Sequence, residues 1–184
     1  RQAVNNRQLF ITKMELVPGG VDVYLSSIAL GKSLAKELAD AFCAETKESP
    51  KLVGQTTDGQ DMYRLTYLVR LPDYRVGDIV SFQGKHYRLS RLNGSGGKLT
   101  GLADFRDRPV RRADMPSVKL YERSGGLAEA TVVSRSGTEI QVLDPSNYST
   151  VDLKVPSDAE IGDAVRVVRI DDVLYYVPDS SAKR

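Results

Sequence analysis

Apolar and polar positions alternate along most of this chain, and one stretch switches to helical spacing. Residues 8–17 read as a strand that turns at Pro18-Gly19-Gly20, with Val21, Val23 and Tyr24-Leu25 as its partner. Ser26 or Ser27 then offers an N-cap oxygen. Leu30, Leu34, Leu38, Ala41 and Phe42 follow at helical spacing while Lys32, Lys36, Glu37 and Asp40 face outward, which predicts a helix packed through its leucines. Pro50 closes the exit from this helix. Lys51–Gln55 precedes a turn at residues 57–60, and Tyr63, Leu65, Tyr67, Val69 and Leu71 alternate with Arg64, Thr66 and Arg70. The pattern predicts a ββαββ layer with the helix on one sheet face.

Beyond Pro72–Arg75 the helical period does not return. Strands are expected at 78–83, 86–92, 98–105, 109–113 and 117–122, a spacing with glycine turns that suits an SH3-like barrel. After Ser124-Gly125-Gly126, apolar positions at Ala130 to Val133, Ile140 to Leu143, Val151 to Val155, Val165 to Ile170 and Val173 to Val177 suggest five more strands, with Asp171-Asp172 as the last turn. That order fits an OB-type barrel. The expected fold is an α+β first domain (1–73) followed by two small all-β barrels, SH3-like (74–123) and OB-type (124–184).

Charge changes this picture in one place. Lys plus Arg stand 9 against 9 Asp plus Glu in residues 1–73, 11 against 5 in residues 74–123, and 6 against 10 in residues 124–184. A chain of net charge +2 therefore hides one basic block, the electrostatic footprint of a nucleic-acid contact. Its members are Lys85, His86, Arg88, Arg91, Lys98, Arg106, Arg108, Arg111 and Arg112, gathered around a glycine-rich hairpin, Asn93–Lys98. Arginines there suit bidentate phosphate contacts, with Lys98 as a reaching point charge on the tip. The competing explanation for such residues is solubilising charge on a sheet edge. The last block is acidic and carries Tyr148, Tyr175 and Tyr176 as its candidate stacking residues, so it is not expected to be the main RNA reader.

Other chemistry is poorly supplied. A nucleotide-binding P-loop ending at Gly97-Lys98 would need glycine at Leu92 and a hydroxyl at Leu99. With one cysteine, one histidine and no carboxylate pair in a recognisable motif, neither catalytic nor metal-ligating residues are assigned. Asp104 and Asp107 read as counter-charges among the arginines. Cys43, beside the helical stripe and near Glu45 and Glu48, reads as a packing thiol. A lone cysteine excludes a disulfide framework and fits a reducing compartment, and no apolar run approaches the roughly 20 residues of a membrane span.

Two resemblances add to this reading. The basic hairpin with Gly96-Gly97-Lys98, followed by Gln141-Val-Leu-Asp-Pro-Ser-Asn-Tyr148 and the run to Pro156, resembles the hypusine-containing translation factor, which implies a related pair of barrels. That factor carries its modified lysine before histidine and glycine. Here Leu99 and Thr100 follow, so Lys98 is expected to be unmodified. The first block, with Val21–Ser27, the helix, Glu48–Gly54, Tyr63–Arg70 and then Gly77-Asp-Ile-Val80, resembles the Nmd-three family of large-ribosomal-subunit assembly and export adaptors.

The second resemblance implies a non-catalytic ribosome biogenesis factor. Its partners would be the large subunit near the tRNA exit site, ribosomal RNA, ribosomal proteins of the mobile stalk and other assembly factors. It further implies a preceding zinc domain of paired Cys-x-x-Cys motifs, which a chain with one cysteine does not hold, and so a fragment that needs no cofactor itself. Ending at Ala182-Lys-Arg184 without a shuttling tail, the chain is similar to archaeal members, and a cytoplasmic monomer away from membranes is expected. The alternatives are a translation factor of the hypusine type and an RNA-processing enzyme.

Overall fold

A computed structural model describes residues 11–178, and these are mostly β with one α-helix. They fall into two compact units that divide between Leu71 and Pro72.

In the first unit, β1 (Ile11–Val17) and β2 (Gly20–Leu25) form one antiparallel hairpin, α1 spans Ile28–Phe42, and β3 (Glu45–Gln55) pairs with β4 (Asp61–Arg70) as a second. The expected ββαββ order is present. The strands form two separate two-stranded sheets rather than one layer. The expected strand at 8–17 begins outside the described residues and is seen from Ile11.

Two local expectations are corrected. The buried side of α1 is Gly31, Ala35 and Ala39, while Leu34, Ala41 and Phe42 are exposed and Leu30 and Leu38 half-buried. The reason is close approach: a Cβ on Gly31 would stand 3.2 Å from the Tyr67 ring, so small residues let the helix reach β4. Helical period locates an apolar stripe but does not say which part of it a thin partner layer covers. Pro50 does not stop the chain either. It sits within β3 opposite Leu65, and proline is tolerated there because a two-stranded sheet has only edge strands. The helix ends at Cys43, which is buried in the left-handed region (φ 53) while the Ala44 amide donates to the Ala39 carbonyl at 3.2 Å.

The second unit holds two five-stranded antiparallel sheets. The first comprises β5 (Ile79–Phe82), β6 (Lys85–Asn93), β7 (Gly96–Gly101), β8 (Asp107–Arg111) and β9 (Lys119–Glu122) in the order β8-β7-β6-β5-β9. A 3-10 turn at Arg112–Ser117 connects β8 to β9. The expected strand 98–105 is thus shorter and earlier, because Gly101 to Phe105 already reverse the chain: the Phe105 amide donates to the Gly101 carbonyl at 3.1 Å.

The second sheet comprises β10 (Ala128–Ser136), β11 (Glu139–Leu143), β12 (Thr150–Lys154), β13 (Ala164–Ile170) and β14 (Val173–Tyr176), ordered β12-β11-β10-β13-β14. Its edge strands β12 and β14 come together, making a near-barrel around Ala130, Ile140, Val142, Leu153 and Val167. Ile79 of β5 and Leu102, just after β7, share a buried cluster with Val168 and Ile170 of β13 and Val177, just after β14. Between the sheets, Ser124–Gly126 forms a 3-10 turn whose Ser124 amide donates to Asp78 Oδ1 at 2.8 Å, and the other oxygen of this buried carboxylate accepts the Arg75 amide at 2.8 Å.

Candidate nucleic-acid interface

The β6–β7 turn is only Gly94-Ser95, and its shape is set locally. The Asn93 carboxamide oxygen accepts the Ser95 amide at 3.1 Å and the Ser95 hydroxyl at 2.6 Å. Next to it, Gly96 (φ 138) is required by packing, since a Cβ there would lie 2.0 Å from the Val110 carbonyl oxygen. The end of β8 can therefore close over the turn: the Arg112 amide donates to the Ser95 carbonyl at 2.9 Å, and its Nη1 to the Gly94 carbonyl at 3.1 Å. Pairing of Gly96 with Arg111 and of Arg91 with Lys98 completes the arrangement. Arg91, Arg111 and Arg112 are all exposed around this tip.

Lys98 is not on the tip. It is the third residue of β7, and its Nζ lies 2.6 Å from Asp107 Oδ2. Asp107 Oδ1 also accepts the Thr100 hydroxyl at 2.9 Å, and the Ser90 and Thr100 hydroxyls are 2.6 Å apart. Both partners of the ion pair are about half exposed, so it adds little stability, yet it neutralises the charge that Lys98 would offer a phosphate.

At the other end of the sheet stand Lys85, His86, Arg106 and Arg108. Lys85 opens β6 and Asn93 closes it, so at ~3.3 Å per residue the two ends are about 26 Å apart. Lys85 and Arg106 are exposed. Arg108 is engaged: its guanidinium lies 4.9 Å from the centre of the Phe82 ring and donates to the Tyr87 hydroxyl at 3.1 Å and to Gln83 Oε1. His86 packs edge to face against Tyr121 at 4.5 Å.

Arg88 belongs to neither end. It is 4% exposed, paired opposite Ile79, and its Nη2 lies 4.0 Å from where a Cβ on Gly77 would stand. A buried guanidinium is a structural charge, not an outward phosphate fork. Of the nine sequence candidates, Arg91, Arg111 and Arg112 are thus exposed at the tip, Lys85 and Arg106 are exposed at the distal end, and His86, Arg88, Lys98 and Arg108 are buried or engaged. Reasoning from the hairpin also passed over Arg75, Lys119 and Arg123, which are exposed. Arg75 and Arg123 line an open cleft of about 670 Å³ with Asp78 and residues 120–126. They lie within the same basic block, so the charge count contained them although the hairpin motif did not.

Among the described residues no group of three or more His, Cys, Asp or Glu is placed to hold a metal. No helix of the described residues is long and apolar enough to cross a membrane. No curated protein matches the chain. The family model described as NMD3, second domain, matches residues 1–71, the whole of the first compact unit, and supports the NMD3 family for that part of the chain.

Proposed function

We propose that this chain acts without catalysis as a ribosome biogenesis adaptor, in which the first unit and the basic sheet together engage the large ribosomal subunit. The match of residues 1–71 to the second domain of NMD3 carries the reading, and the exposed arginines of the neighbouring unit supply the chemistry. We read the first five-stranded sheet as SH3-like and the second as OB-type, with Arg91, Arg111 and Arg112 at the tip and Lys85 and Arg106 at the distal end as the phosphate-binding set. The partners are ribosomal RNA, with proteins of the mobile stalk and other assembly factors, in the cytoplasm. Recognition is of backbone and shape, since the exposed cations are spread over two ends of a sheet.

The test is binding of this chain to purified large ribosomal subunits across a salt series, beside a variant with Arg91, Arg111 and Arg112 changed to alanine. About five neutralised phosphates give a slope of log affinity against log salt of roughly −3.5 to −4.5, reduced by about 2 to 3 in the variant. A flat salt response with an unaffected variant would refute the basic sheet as the docking surface.

A further inference from the structure

The loop from β11 to β12 holds an aromatic side chain in solvent. Tyr148 is 78% exposed and has φ 58, a left-handed conformation that a bulky residue rarely adopts. Around it the backbone is tied down. The Asp144 carbonyl accepts the Asn147 amide at 3.3 Å and the Tyr148 amide at 2.8 Å, and the Asp144 amide donates to the Ser149 carbonyl at 2.8 Å. Asp144 Oδ1 accepts the amide (2.9 Å) and the hydroxyl (2.7 Å) of Ser146, and Asn147 Oδ1 accepts the Ser149 amide at 2.9 Å. A large side chain with so little apolar burial of its own is being presented, and its ordering cost is met before any partner arrives.

Arg169 joins this loop to a second one. Its Nη2 donates to Asp144 Oδ2 and to Ser146 Oγ at 3.3 Å, while its Nη1 donates to the Asp172 carbonyl at 3.2 Å. Asp172 belongs to the β13–β14 turn, where Asp171 (φ 47) and Asp172 (φ 64) give the paired positive φ of a tight hairpin. Arg169 is neutralised by the buried Asp144 carboxylate, whereas the Asp171 and Asp172 carboxylates are exposed. Arg169 thus ties the loop that carries the exposed Tyr148 ring to the turn that carries the exposed Asp171 and Asp172 carboxylates.

We propose that this end of the sheet is a docking site for an arginine-containing basic segment of a partner protein, with a guanidinium stacked on Tyr148 and neighbouring cations facing Asp171 and Asp172. Charge selects the partner: residues 124–184 carry 10 acidic against 6 basic residues, so a polyanion is repelled where a polycation is drawn in. Arginine suits the site better than lysine because its planar, weakly hydrated cation stacks on an aromatic face.

The experiment is a nuclear magnetic resonance titration of the whole chain with a ten-residue peptide of alternating arginine and serine, against the same peptide with lysine and against a ten-nucleotide oligouridylate. The arginine peptide should shift amides of residues 144–149 and 171–172 and bind more tightly than the lysine peptide. Tyr148→Gly, which suits the left-handed backbone and leaves the amide spectrum folded, should weaken it about tenfold. Tyr148→Phe should retain the affinity, and Asp171→Asn with Asp172→Asn should flatten its salt dependence. Unchanged affinity in Tyr148→Gly, no shift at these residues, or preferential binding of the oligouridylate there would each overturn the proposal.

Discussion

The two compact units use the same alternation of apolar and polar residues to opposite ends. In the first, Met14 pairs with Val23 and Leu16 with Val21, so all four side chains share one face of the β1–β2 hairpin, yet Met14 is 61% and Leu16 89% exposed. In the second, Ile79, Val80, Leu89 and Leu99 are 0% exposed. The difference lies in strand number. A five-stranded sheet twists far enough for its edges to approach and for a second sheet to cover a face, whereas a two-stranded sheet has no width with which to enclose anything. Among the described residues of the first unit, the small-residue face of α1 covers the Tyr67 side of β3–β4 and approaches Leu25 of β2.

Truncation should separate the units most sharply. Leu89→Ala or Leu99→Ala removes a fully buried side chain and should cost about 2–5 kcal/mol in urea unfolding of the second unit. Leu16→Ala, the same chemical change at an exposed site, should stay within about 0.5 kcal/mol. Equal losses would mean that the hairpin face is covered in solution.

Next in size is Gly96→Ala. The added methyl meets the Val110 carbonyl oxygen, so β8 must retreat from β7, at about 1–3 kcal/mol. Because Arg111 and Arg112 ride on that contact, affinity for ribosomal subunits should fall together with the melting temperature, which calorimetry and the salt-series assay would show side by side.

Acid provides a way to address the second unit alone. The Arg169 guanidinium, helped by the Ser146 amide and hydroxyl, holds the Asp144 carboxyl at about 2 against an ordinary 3.8. A carboxyl whose value is depressed by folding stabilises the native state above its unfolded value and loses that contribution as pH falls through the folded one. Stability of the second unit should therefore decline as pH is lowered from about 4 to about 2. Asp144→Asn should flatten the decline, as followed by tyrosine fluorescence. Tyr67 moves the other way: burial, then the charge and hydrogen bond of Glu48, raise its phenol above the usual 10.0, so the first unit keeps this contact through neutral pH and loses it only in strong base.

The smallest effect should be a gain. Gly31→Ala exchanges a poor helix former for the best one, worth about 0.8–1 kcal/mol, against a 3.2 Å approach to a Tyr67 ring that is half-exposed and able to shift. The melting temperature of the first unit should rise slightly. A fall would show that α1 and β4 are packed too tightly to yield.

Much of this is readable in the sequence alone. The strand alternation from Tyr63 to Val69, the reversal at Asp171-Asp172 and the existence of α1 all follow from local period and turn chemistry, which act within a few residues. The candidate interface was legible as a block of charge but not as a surface. Arg88 lies two positions from His86 and looks equally available, yet it shares a face with Ile79, and that face is covered by Val168 and Ile170 from about eighty residues away. The glycines that precede Lys98 suggest a tip position for it. Its neutralisation by Asp107 exists only once β7 and β8 are in register.

What the sequence by itself determined is therefore the set of strands, the single helix and the concentration of positive charge in residues 74–123, because propensity and composition are properties of neighbours along the chain. Tertiary structure decided which cations remain available to a partner and which apolar residues become core. Burial and ion pairing depend on what arrives from distant segments, and a side chain's charge counts for recognition only where that arrival leaves it exposed and uncompensated.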